Sequence, residues 1–203
     1  LTSKKIVDSI RKAHETGDPT VKISRISSGE QAEQGPRYQL GIASLDYSGL
    51  IAVISGACFK EGLDARRVYA YTNPKFKVAL DFFEMTSEKI IEEPGALRKG
   101  IEDAIRNKVF IDIEPRTILS PLDKIVSLED LTNSSGLLRL SFQTNRNEKG
   151  ILYALARILY EKIKADIYGV KAIVEDYSVT NSIFFKTPLV FNDAERLVRE
   201  QIG

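Results

Sequence analysis

Hydrophobic positions along the chain change period several times, and each change marks an element. Ile6, Ile10 and Ala13 recur at helical spacing over 3–16, and Gly17 follows where a left-handed closing residue suits a helix end. Residues 24–37 are polar, contain Gly29 and Gly35 and have no period, which predicts a loop or linker. From 38 to 44, Tyr38, Leu40 and Ile42 alternate with Gln39, Gly41 and Ala43, the pattern of a strand with one apolar face. Leu50, Val53, Ile54, Ala57 and Cys58 then form a helical stripe over 50–61. Two β-rich segments, 63–72 and 77–85, flank an Asn-Pro turn at 73–76. Pro94 opens a helix bearing Leu97, Ile101, Ala104 and Ile105, and 109–113 (VFIDI) predicts a fourth strand. The order is β-α-β-β-α-β.

The second half repeats the first. Residues 114–124 carry two prolines and predict a connection, and 125–131 an extra strand. Leu138, Leu140 and Phe142 alternate with Arg139, Ser141 and Gln143, and a helix with Ile151, Leu155, Ile158, Leu159 and Lys162 follows. Strands are expected at about 165–174 and 177–186. A last helix is expected from Asn192, with Glu195 as a capping-box partner and Ala194, Leu197, Val198 and Ile202 on its buried side. A repeat near 100 residues means duplicated domains. The predicted fold class is α+β: two ferredoxin-like βαββαβ units, antiparallel sheets with helices on one face. The division is 1–37, an N-terminal helix and linker from an upstream region; 38–114, the first unit; 115–136, a connection; and 137–203, the second unit. Segments 65–72 and 78–85 are apolar in both registers, so the face without helices, or an edge, should meet a partner, most simply the sister unit.

Composition removes most chemistry. The 203 residues are 43% hydrophobic and 28% charged, with a net charge of +1, so no global field favours nucleic acid or an anionic membrane. The absence of a long apolar run or a signal-peptide core predicts no membrane span and a cytoplasmic setting. Cys58 is alone, which excludes an intrachain disulfide, and its place on an apolar stripe makes it a structural thiol; His14 sits among polar residues. No Cys/His spacing suggests a metal site, and no nucleotide-binding or nucleophile motif occurs in context. Asp46, Asp64, Asp81, Asp166 and Asp176 lie near element ends without an evident acid/base pair. RNA-recognition modules share this element order, but Phe82 and Phe83 are flanked by Asp81 and Glu84, which disfavours phosphate. No catalysis, metal or cofactor is expected.

The turn Asp46-Tyr47-Ser48-Gly49-Leu50, the helix after it and Gly62-Leu63-Asp64-Ala65-Arg66-Arg67-Val68 resemble the ACT domain family, whose members share a D-x-P-G-L turn at the start of the first helix. VALDFFEM (78–85) is similar to the family's third strand. NEKGILYALARILY (147–160) with ADIYGVKA (165–172) resembles a second, weaker copy. As a whole the chain resembles the C-terminal region of bifunctional uridylyltransferase/uridylyl-removing enzymes, where a stretch like 1–37 leaves the catalytic region and two tandem ACT domains follow. Leu1 in place of Met fits a fragment of a longer protein. Tyr47 and Ser48 stand where the family has Arg and Pro. The second turn is one residue longer, with Asn145 or Asn147 in place of the family aspartate.

The resemblance implies a regulatory module that senses an amino acid, glutamine in that enzyme class. It would control attached domains that modify and demodify the PII signal protein. The implied ligand-binding residues are Asp46, Ser48, Gly49, Leu50 and Ile51 at the first turn, and Asn145, Asn147, Gly150 and Ile151 at the second. Physically, Gly49 permits a tight turn, the N–H groups of Leu50 and Ile51 suit a carboxylate, and Asp46 suits an ammonium. The plain reading is a turn glycine with Asp46 capping the helix. Two alternatives stand beside the sensor: a ligand-independent module that forms a homodimer, and an ACT pair from an amino-acid biosynthetic or (p)ppGpp enzyme.

Overall fold

The computed structural model describes residues 3–26, 35–175 and 178–203. The chain opens with α1 (Ser3–Thr16), closed by Gly17 at φ 74° as its position suggested. The first unit contains β1 (Thr20–Ile26), β2 (Arg37–Leu45), α2 (Leu50–Lys60), β3 (Leu63–Asn73), β4 (Val78–Ser87) and α3 (Pro94–Asn107). After α4 (Pro115–Leu119) the second unit repeats this order with β5 (Lys124–Leu131), α5 (Thr132–Ser135), β6 (Leu137–Thr144), α6 (Ile151–Ile163), β7 (Asp166–Glu175), β8 (Ser178–Lys186) and α7 (Phe191–Gln201).

The fold is α+β, built from two ferredoxin-like units. Their strands order as β1-β2-β4-β3 and β5-β6-β8-β7. The two quartets join through antiparallel pairing of β3 with β7, from Arg67 opposite Ile173 to Tyr71 opposite Gly169. One eight-stranded antiparallel sheet results, palindromic about the β3–β7 seam. The sister unit is therefore the partner of the β3 edge.

Three expectations need correction. Residues 109–113 do not form a strand. The place beside β2 is filled by β1, which pairs from Thr20 opposite Ala43 to Ile26 opposite Arg37, so each unit's fourth strand comes first in the unit instead of last. Only Phe110 and Ile111 of VFIDI pack on the core, while Val109 and Ile113 are exposed; the Phe110 ring stacks on Tyr160, and Tyr153 Oη donates to the carbonyls of Ile111 and Ile113. Residues 24–26, expected in a loop, belong to β1, where Arg25 and Ser24 are polar because an edge strand is half solvated; 27–34 lie outside the described residues. The last helix starts one residue early, at Phe191 after Val190, without a capping box; Glu195 pairs instead with Arg199, 2.8 Å away and one turn on.

Leu40, Ile42, Val68 and Phe83 in the first unit, and Leu140, Phe142, Ile183 and Phe185 in the second, face the helices and are buried. Between them lie α2 and α6, antiparallel neighbours: Gly49, before α2, adjoins Tyr160 near the end of α6, and Gly150, before α6, adjoins Phe59 near the end of α2. Sandwiched this way, α2 buries nearly its whole circumference, with Ile51, Ala52, Ser55 and Gly56 added to the expected stripe. Gly56 lets the Tyr153 ring approach to within 3.1 Å of where a Cβ would stand. The opposite sheet face is partly covered by α1, which packs on β2 and β4 and brings Gly17 to Leu45. Tyr69, Tyr71 and Ile125 on that face remain exposed.

Candidate functional site

The antiparallel arrangement brings each glycine turn against a strand of the other unit. Gly49 (φ 95°) and Gly150 (φ 83°) occupy the N-cap positions of α2 and α6 in the left-handed region, so no side chain caps either helix. A Cβ on Gly49 would lie 3.0 Å from Phe110 and 3.1 Å from Tyr160; one on Gly150 would lie 3.0 Å from Phe59 and 3.2 Å from Ile118. Both glycines are thus required twice over, by the turn and by the close cover above it.

At the first turn, Ser48 Oγ donates to Asp166 Oδ1 of the second unit at 3.1 Å. The cavity beneath is lined by Asp46, Gly49, Leu50, Ile51, Thr72 and Asp81 from the first unit, and by Ile167 and Gly169 from β7. Its volume of about 10 Å³ is room for roughly one water. The Leu50 N–H is not a free donor, since it bonds the Tyr47 carbonyl at 3.1 Å. No backbone acceptor takes the Ile51 N–H, an open donor in the first turn of α2 that lines the cavity. Asp46 does not cap α2, whose N-cap is Gly49; the Thr72 side chain and the Tyr47 backbone only partly oppose the rise of its carboxyl.

Three carboxylates that sequence could not pair converge here. Burial, then the negative charge of Asp166, push the Asp46 carboxyl up to about 6. Asp81, only 1% exposed, is pushed well above the usual carboxylate range by burial and then by Asp46. Its Oδ2 has no hydrogen-bond partner. Burial and the neighbouring Asp46 also raise the Tyr47 phenol, whose Oη donates to the Ile105 carbonyl at 3.1 Å. Among the described residues no group of His, Cys, Asp and Glu has the geometry to hold a metal ion.

The second turn mirrors the first with a different charge. Gly150 N–H points at Asp64 Oδ1 of the first unit at 3.4 Å. Burial raises Asp64, while Arg66 and Lys149 oppose that rise. Asn147, Gly150, Ile151, Asp64 and Asn181 line a cavity of about 20 Å³. Asn145 is exposed and does not line it, so of the two asparagines only Asn147 reaches the site. Thus Asp46, Gly49, Leu50 and Ile51 line one cavity with Ser48 on its rim, whereas Asp166 and Tyr160 facing the first turn, Asp64 facing the second, and Asp81 and Asn181 beneath the turns of their own units were missed as site residues. The only sequence signal for them was aspartates at element ends. Asp176 lies outside the described residues.

Away from both turns, a cavity of about 1110 Å³ is an open groove between α1 and the sheet, bounded by Ile6, Gln39, Gly41, Tyr69, Phe82 and Arg98. His14 is exposed, edge-on to Phe76, and Cys58 is buried, as expected of a solvated and a structural side chain. Among the described residues no helix is long and apolar enough to cross a membrane.

No protein-family model matches the chain, and no curated protein does. Among solved structures it is similar to a crystal structure of aspartate kinase from Synechocystis, at 12% identity and a TM-score of 0.45, over 85% of this chain and 29% of that one. The chain therefore spans less than a third of that protein's length. The ferredoxin-like character of each unit rests on its own strand order.

Proposed function

We propose that the chain is an ACT-type regulatory module that binds a free amino acid between its two units and biases the arrangement of domains attached to it. The observation that supports this most is that each glycine turn is completed by the other unit: Asp166 faces Ser48, and Asp64 faces Gly150. A ligand at either turn touches both halves, so its binding free energy depends on how they sit. That is the requirement for a ligand to shift a conformational equilibrium, and a coupling of about 1–3 kcal/mol suffices. The first cavity holds about one water, so a whole amino acid enters only if the Phe110–Tyr160 cover or the turn gives way. Closure of this kind makes occupancy and rearrangement the same event. The sequence resemblance favours glutamine as effector, uridylyltransferase and uridylyl-removing domains as the controlled partners, and the PII signal protein as their substrate. The module's own role is regulatory, not catalytic.

Isothermal titration calorimetry of the chain with glutamine, glutamate and leucine tests this. Saturable, glutamine-selective heat that disappears in a folded Gly49→Val variant is the expected result. Heat unchanged by that substitution would place the ligand elsewhere. A second reading is favoured by Tyr69 and Tyr71, 49% and 56% exposed on the open sheet face: a ligand-independent dimer. Sedimentation that gives a concentration-dependent mass, indifferent to amino acids, would support it.

A further inference from the structure

The two turn sites are copies that differ at the bottom. In β4, Asp81 lies opposite Ile42 and Ala70; in β8, Asn181 lies opposite Phe142 and Ala172. Duplication therefore puts Asp81 and Asn181 at the same position of their units. They are 1% and 2% exposed, and each lines the cavity beneath its own glycine turn. Each also keeps one side-chain atom without a partner: Oδ2 of Asp81 and Nδ2 of Asn181. The unsatisfied ends are opposite in kind. The first cavity presents a carboxyl oxygen, which accepts once a cation beside it displaces its proton, and the second an amide N–H donor; a buried polar atom left alone is costly until something bonds it.

The surroundings sharpen the contrast. Asp46 lies above Asp81, Asp166 stands across the seam, and no residue lining the first cavity is basic. At the second turn, Arg66 and Lys149 offset Asp64. A volume that accommodates one water also accommodates one ammonium group.

We propose that the first site is an ammonium receptor, with the group seated between Asp81 and Asp46, and that Asn181 makes its twin refuse the same group. An α-amino acid would then bind once per chain, its amino end at Asp81 and its carboxylate at the Ile51 N–H beside the start of α2. The identity of the whole ligand rests on the reading given under Proposed function; the ammonium subsite rests on Asp81 and its surroundings.

The test uses methylammonium as probe and tetramethylammonium at equal concentration as the control for ionic strength, with side-chain carboxyl and amide resonances followed by NMR. Saturable methylammonium shifts at Asp81 and Asp46, without matching shifts at Asn181, are expected. Asp81→Asn should weaken the probe about tenfold or more, the loss of a charged hydrogen-bond acceptor, and Asn181→Asp should create a second binding event. No saturable shift at Asp81, equal shifts at Asn181, or binding indifferent to a folded Asp81→Asn variant would overturn the proposal; the wild-type resonances decide it even if the variants misfold. Calorimetry with glutamine, glutamate and leucine separates the two claims. Methylammonium at Asp81 with all three amino acids silent keeps the subsite and removes the sensor. Amino-acid binding with two equivalents per chain keeps the sensor and removes the asymmetry.

Discussion

Asp46 makes the stability of the turn depend on pH. In the folded chain its carboxyl titrates at about 6, against 3.8 in the unfolded chain. Between those values the folded state holds a proton that the unfolded state has lost, so the contribution of Asp46 to stability is complete below about pH 4 and is lost as pH rises through 6. A rise of that size corresponds to about 3 kcal/mol at most, and because Asp46 is partly open to solvent about 1–2 kcal/mol is the reasonable expectation. The perturbation is Asp46→Asn, which keeps the shape and a polar side chain but cannot ionise. Urea denaturation of both proteins at intervals from pH 4 to 8 reads the difference. The variant's stability relative to wild type should rise by about 1–2 kcal/mol between pH 4 and 6 and then level. Asp166→Asn should move the wild-type transition toward lower pH by removing the facing charge. A difference that stays constant with pH would mean that Asp46 keeps an ordinary carboxylate titration in the folded chain.

The two turn glycines should be more sensitive than Gly62, which has φ 76° but nothing within 4 Å of a Cβ. Gly62→Ala is expected to cost about 1 kcal/mol, and Gly49→Ala or Gly150→Ala about 2–4, in denaturant unfolding. Burial, and next the charge of Glu61, push the Cys58 thiol up to about 12, so it should resist a thiol reagent at mildly alkaline pH until the chain is unfolded. Tyr153→Phe removes the hydroxyl that holds the carbonyls of Ile111 and Ile113. It should cost about 1–2 kcal/mol and accelerate amide exchange over 109–113 more than elsewhere.

Element type was legible wherever one period governed a segment. The alternation of Tyr38, Leu40 and Ile42, or of Leu138, Leu140 and Phe142, reports one buried face, and those strands stand where expected. Partnership was not legible. VFIDI and the β1 segment TVKISRI look alike to a periodicity argument, and what separates them is which one reaches the free edge of β2. The glycine turns were visible because a left-handed N-cap needs glycine, yet part of each site comes from the opposite unit, about a hundred residues away. Asp81 and Asn181 become equivalent only when the ladders are aligned, because one lies in VALDFFEM and the other in SVTNSIFFK, segments with little in common as strings.

If the seam between the units is the binding element, backbone amide shifts mapped during titration with glutamine should trace it. Saturable changes are expected at residues 46–51 together with 166–169, turn and facing strand moving on one binding curve. Changes confined to the open groove beside α1, or no change with glutamine, glutamate or leucine, would contradict a binding site at the seam.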